Sequence, residues 1–203
     1  YTGEVMNKPP FGILELIIAI VLVVGLTGSV IYAIDPVERA KKERDETFRE
    51  RAKDLLEALD KHYFAKGRLP WTSDVARNLS PLPWTSVKEG KIGVCSDNTC
   101  RGQGLLVLEG ILPSSFLLNF FVQSNDPRNS LYLGKGEKPD DNLYACFIPE
   151  SRAFRVDFIP LMDLGIGESM PVDGLPTFCS GPPDWSSTVC YSCVSRKLSA
   201  PKK

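Results

Sequence analysis

The chain has 203 residues, of which 43% are hydrophobic and 24% charged, and its formal net charge is −1. That balance provides no overall field to draw in nucleic acid or an anionic surface, and the length suits one domain or slightly more. A single histidine, His62, argues against multi-histidine metal or catalytic centres. No Gly-rich phosphate loop, His-Glu-x-x-His motif or nucleophile elbow is present to suggest an enzyme.

Residues 11–34 form an almost wholly apolar run whose one charge is Glu15. A spanning helix needs roughly 20 apolar residues, so the run predicts a hydrophobic membrane helix over 11–35. A carboxylate at bilayer depth costs about 2.5–3.5 kcal/mol on insertion scales, and Glu15 therefore calls for a partner. Gly25 and Gly28 interrupt the run. They read either as small residues that permit close helix approach or as ordinary transmembrane composition. Asp35-Pro36 ends the stretch, because Asp caps helices and Pro suits the first turn of the next one.

Residues 36–66 predict an amphipathic helix. Phe48, Ala52, Leu55, Leu56, Leu59, Tyr63 and Phe64 recur at spacings of three and four and mark one buried face. Glu38, Arg39, Lys41, Lys42, Glu43, Arg44, Asp45, Glu46, Arg49, Glu50 and Arg51 read as the solvated face. His62 reads as a helix-face histidine packed against the sheet. Gly67-Arg68-Leu69-Pro70 closes the helix.

The remainder, 67–203, lacks a long helical period and predicts an antiparallel-sheet head. Short β-like runs lie at 91–95, 104–109, 131–133, 142–148 and 153–158, with 149–152 as a hairpin loop between the last two. Ser114 and Ser115 are placed to cap a short helix over 116–121, followed by a turn at Asn125-Asp126-Pro127. From Met170 onward the chain is rich in Pro, Gly, Ser and Cys and reads as loop held by cross-links.

All six cysteines follow the apolar run: Cys95, Cys100, Cys146, Cys179, Cys190 and Cys193. In an exported chain they suggest disulfides; the alternative is a zinc site from Cys190-x-x-Cys193 with Cys95-x4-Cys100. Turn-forming Asp97 and Asn98 between two thiols predict a local Cys95–Cys100 bond, with Cys146, Cys179, Cys190 and Cys193 paired among themselves. Trp71, Trp84, Trp185 and the C-terminal lysines are too scattered for a nucleic-acid groove. Asn78-Leu79-Ser80 fits a glycosylation acceptor. Asp140 and Asp141 near Glu137 make a faint calcium candidate, for which an ordinary polar loop is the simpler reading, so no metal or other cofactor is expected.

The order Phe11, Gly12, Ile13, Leu14, Glu15, Leu16, Ile17 resembles the start of a mature type IV pilin. The segment from Asp35-Pro36-Val37-Glu38-Arg39 to Asp45 resembles the point where that family's membrane helix gives way to a charged one, and Gly67-Arg68-Leu69-Pro70 its exit from the long helix. Met6-Asn7-Lys8-Pro9-Pro10 looks like the short basic leader of a prepilin, so that 1–10 is leader-like. Where the family's leader ends in Gly, this chain has Pro10.

The resemblance implies an α+β fold, with a long helix, apolar then amphipathic, packed on a small antiparallel sheet and a disulfide-stabilised C-terminal loop region. It implies a structural subunit rather than an enzyme. A prepilin peptidase would cut between Pro10 and Phe11, and the Phe11 amine would be methylated. Glu15 would then pair with the Phe11 amine of an adjacent copy in a helical filament built by the pilus assembly machinery. The chain would cross the inner membrane once before assembly and afterwards lie in an extracellular filament serving adhesion or motility.

Two alternatives stand beside this. One is a pseudopilin or minor pilin of a type II secretion or DNA-uptake system, which shares the helix. The other is a membrane-tethered extracytoplasmic domain of different function. Lys8 before the run against Arg39, Lys41, Lys42 and Arg44 after it runs counter to the positive-inside bias for an outward C-terminus.

Overall fold

The computed structural model describes residues 12–72, 81–136, 141–155 and 191–199, and the side chains of the first helix as far as Gly25. Expectations for Pro10, Phe11, Asn78, Glu137, Asp140, Cys179, Trp185 and Cys190 lie outside the described residues. The chain divides into two units, residues 1–40 and 41–203.

In the first unit, α1 (Ile13–Ile34) is helical for 22 residues. Among the described residues no helix is long and apolar enough to cross a membrane. The expected break at Asp35-Pro36 is present. Asp35 takes a left-handed φ of 34° as the C-cap of α1. Its carboxylate accepts the Glu38 N–H at 3.2 Å and its carbonyl the Arg39 N–H at 3.1 Å. One residue thus ends α1 and caps α2 (Pro36–Lys66), with proline at the first helical position, where its missing N–H costs nothing.

The second unit is built on α2 from Lys41 onward. Phe48, Ala52, Leu55, Leu56, Leu59 and Tyr63 are buried as the spacing predicts, and Ala58 widens the stripe. Phe64 does not join them: it is 45% exposed, because the next residue along a helix turns about 100° away from the stripe. The helix stops where expected. Gly67 adopts φ 67° and donates its N–H to the Tyr63 carbonyl at 2.8 Å, a left-handed ending that glycine takes without steric cost.

Four strands form one antiparallel sheet in chain order: β1 (Leu82–Ser86), β2 (Tyr132–Lys135), β3 (Leu143–Phe147) and β4 (Ser192–Arg196). Side chains alternate across it, as strand geometry requires. Leu131, Leu133, Leu143, Ala145 and Phe147 join the core with Phe48, Leu55 and Leu59 of α2. The Phe48 and Phe147 rings lie 5.3 Å apart. On the other face Trp84, Tyr132, Cys146, Ile148 and Tyr191 form a second buried cluster. Gly134 is needed there, since a Cβ at that position would come within 2.7 Å of the Trp84 ring. β1 carries Pro83 and a register irregularity between Leu82 and Thr85, consistent with an edge strand, where a residue lacking an N–H is tolerated.

Several expected strands are something else. Within 91–95 the chain makes a 3₁₀ turn at Gly90–Ile92 and then a left-handed Gly93 at φ 86°. Cys95 keeps a single bridge to Gln103. The apolar run 104–109 is a helical turn, α3 (Leu105–Leu108). The described part of 153–158 belongs to another, α5 (Arg152–Arg155), so 149–152 is no hairpin loop. The helix expected over 116–121 splits into a 3₁₀ turn at Ser114–Leu118 and α4 (Phe120–Gln123), with Pro113 at the first N-cap and no side-chain cap from serine. Conversely β4 forms within the stretch read as loop.

Candidate functional site

Gly12 precedes α1 in an extended conformation (φ −66°, ψ 146°). Its carbonyl accepts the N–H groups of Glu15 at 3.0 Å and Leu16 at 3.2 Å. The Glu15 side chain folds back, and its Oε2 accepts the Gly12 N–H at 3.2 Å. An anion at the third helical position satisfies one of the unpaired N–H groups of the first turn and complements the positive end of the helix dipole. Beyond it the large apolar side chains from Ile13 to Val24 are exposed all round the helix, from 51% at Ile18 to 80% at Ile13.

In the second unit the charged face of α2 is not uniformly solvated. Asp45 is fully buried. Its carboxylate accepts the backbone N–H of Glu150 at 3.1 and 3.0 Å and that of Ser151 at 2.7 Å. Arg44 completes the cluster, with its guanidinium 2.8 Å from Asp45, 3.0 Å from Asn129 Oδ1 and 3.4 Å from Glu150, over the Phe48 ring. Four turns further on, Asp60 accepts the Arg196 Nε–H at 3.0 Å and the Ser199 N–H at 2.6 Å. Burial pushes the Asp60 carboxyl up, but the Ser199 and Arg196 donors together hold it below the usual carboxylate range.

His62 is buried as expected, but its partner is Glu109, at the end of α3, rather than the sheet. His62 Nδ1 lies 3.1 Å from Glu109 Oε2, and Lys66 Nζ lies 3.1 Å from Glu109 Oε1. Burial pushes the imidazole below its ordinary value, against the opposing pull of Glu109. Glu109 is raised by burial and lowered more strongly by Lys66 and His62 together.

The four described cysteines are used as cross-links. Cys95 and Cys100 close the local loop, and Cys146 joins Cys193, its direct cross-strand partner between β3 and β4. Neither thiol pair is left for zinc, and the described residues hold no cluster of three or more metal-ligating side chains. Asp45 and Asp60 carry no signal of their role in the sequence, where each is one acid among many on a charged helix. No protein-family model, curated protein or solved structure matches the chain.

Proposed function

We propose that the chain is a structural subunit of a type IV pilus-like filament that assembles through α1. The observation that carries this reading is the apolar α1 surface, exposed all round, with a single carboxylate in its first turn. Lipid covers that surface before assembly and other copies of the chain cover it afterwards. Glu15 is held meanwhile by the Gly12 N–H. An α-amine freed at Phe11 in a neighbouring copy offers a full positive charge in its place, and charge-assisted hydrogen bonds are roughly twice as strong as neutral ones. The second unit, with α2 laid on the sheet and two disulfides, serves as the head displayed outside the membrane.

Glu15→Ala tests the reading. The variant inserts into membranes as well as the parent or better, since a polar group costing about 2.5–3.5 kcal/mol is removed, while its recovery in sheared filaments falls sharply. Mass spectrometry of filament N-termini reports cleavage before Phe11 and methylation of its amine. Equal filament yield for parent and variant rejects assembly through Glu15 and leaves a membrane-tethered domain of another function as the better account.

A further inference from the structure

A cavity of about 280 Å³ opens in the second unit where the end of β1, the Cys95–Cys100 loop and the stretch between α4 and β2 meet. Its size lies near the lower end of small-molecule sites, which run from about 300 Å³. Four of its lining side-chain oxygens each already accept a hydrogen bond inside the protein. Ser86 Oγ accepts the Lys88 N–H at 3.4 Å, and Ser124 Oγ accepts the Asp126 N–H at 3.1 Å. Asn98 Oδ1 accepts the Gly90 N–H at 3.5 Å, and Asn125 Oδ1 accepts from Lys88 Nζ at 3.1 Å. Besides a second lone pair on each oxygen, these residues keep two hydroxyl protons and two amide NH₂ groups as donors.

Lys88 adds a charge to that set. Its ammonium is fixed by two neutral acceptors, the Ser124 carbonyl at 2.7 Å and Asn125 Oδ1, and an ammonium carries a third N–H. Among the described residues no carboxylate lies within ion-pair range of it. The lining carboxylate, Glu89, is engaged 3.2 Å away by Lys91. Nearby Asp126 accepts the Arg128 N–H at 2.9 Å. A positioned cation with no carboxylate in ion-pair range, beside two hydroxyl and two amide donors, is complementary to an oxyanion.

We infer that this cavity binds a small oxyanion, a carboxylate or a phosphate, on a compact polar body. The anion sits against Lys88 Nζ and takes hydrogen bonds from the amides of Asn98 and Asn125. Assembly through α1 is not required for it, so the two readings stand or fall separately.

Isotope-labelled full-length chain in detergent micelles, titrated separately with inorganic phosphate, glucuronate and neutral glucose, tests the inference by amide NMR. Saturable shifts at residues 86–90, 98 and 124–125 are expected with an anion and not with glucose, and they weaken as sodium chloride is raised. Phosphate alone, glucuronate alone, or both equally supports the site and identifies the source of the oxyanion. Lys88→Met lowers affinity at least tenfold. Asn98→Asp, a change on an exposed loop that sets a carboxylate at the mouth, does the same and guards against a Lys88 variant that folds poorly. Saturation by neither anion, equal shifts from glucose, or undiminished binding in well-folded Lys88→Met and Asn98→Asp overturns the inference.

Discussion

Replacing Asp45 with alanine removes the acceptor for two backbone donors, the half-buried Glu150 N–H and the buried Ser151 N–H, and the nearest anion of Arg44. Leaving a buried donor unsatisfied costs about 1–3 kcal/mol, and breaking one side of a buried ion pair costs about 3–5 kcal/mol. These do not simply add, because Arg44 keeps Glu150 at 3.4 Å, Asn129 at 3.0 Å and the Phe48 ring. The expected loss for Asp45→Ala is therefore about 3–5 kcal/mol, roughly 6–20 °C in melting temperature for a domain of this size. Asp45→Asn keeps one carbonyl oxygen for the loop N–H groups and should lose only about half as much. Urea denaturation of the full chain in micelles, followed by fluorescence of the buried Trp84, measures both. If Asp45→Ala lies within about 0.5 kcal/mol of the parent, the range of neutral surface changes, the carboxylate does not hold the loop after β3.

Leu56 is 1% exposed on the buried stripe of α2; truncating such a leucine costs about 2–5 kcal/mol and a carboxylate costs more. Leu56→Asp is accordingly expected to unfold the head, and an unchanged melting temperature would mean the stripe is misassigned. The depressed imidazole of His62 gives a pH dependence with a defined sign. Stability from this group is fully present above the ordinary histidine value of about 6.5 and is lost as the pH falls through the lower folded value, because the unfolded chain takes the proton first. Stability measured at pH 7.5 and pH 5 should differ more in the parent than in His62→Gln, and equal differences would refute the burial argument.

What could be read from the sequence depended on how many residues carried each signal. The α2 stripe rests on a repeat sustained from Phe48 to Tyr63 and survived with one misplaced member, Phe64. β3 was readable because Leu143, Ala145 and Phe147 alternate with Tyr144 and Cys146 between two buried clusters. Shorter segments were ambiguous: Leu105-Leu106-Val107-Leu108 is as apolar as a strand, and four apolar residues do not distinguish one helical turn from an extended run. There the decision lies with Gly104, whose backbone sits so close to Gly93 that a Cβ would meet its carbonyl at 2.5 Å. β4 was missed because Ser192 to Arg196 has little β character of its own and is a strand through pairing with β3 and the Cys146–Cys193 link. The cavity around Lys88 was also missed, since its donors come from separate segments and their freedom depends on which oxygens are already occupied.

The two buried carboxylates of α2 bear on how a head of this kind can be held. An apolar helix face on an apolar sheet is attractive but non-directional, and sliding the helix by one turn would still bring Leu59 into the place of Leu55. Asp45 and Asp60 remove that freedom. They lie 15 residues apart, about 22 Å along the helix. One is bound to the chain just after β3 and the other to Arg196 and Ser199 at the end of β4. A one-turn slip would carry both anions about 5.4 Å away from these donors, at several kcal/mol each. The acids thus fix register where leucines supply attraction, a division also seen where a single buried polar residue sets the register of a coiled coil. For a subunit proposed to be anchored by α1, any pull on the head reaches the sheet through α2. A register pinned near both ends of the helix–sheet contact resists that pull in a way that buried area alone does not.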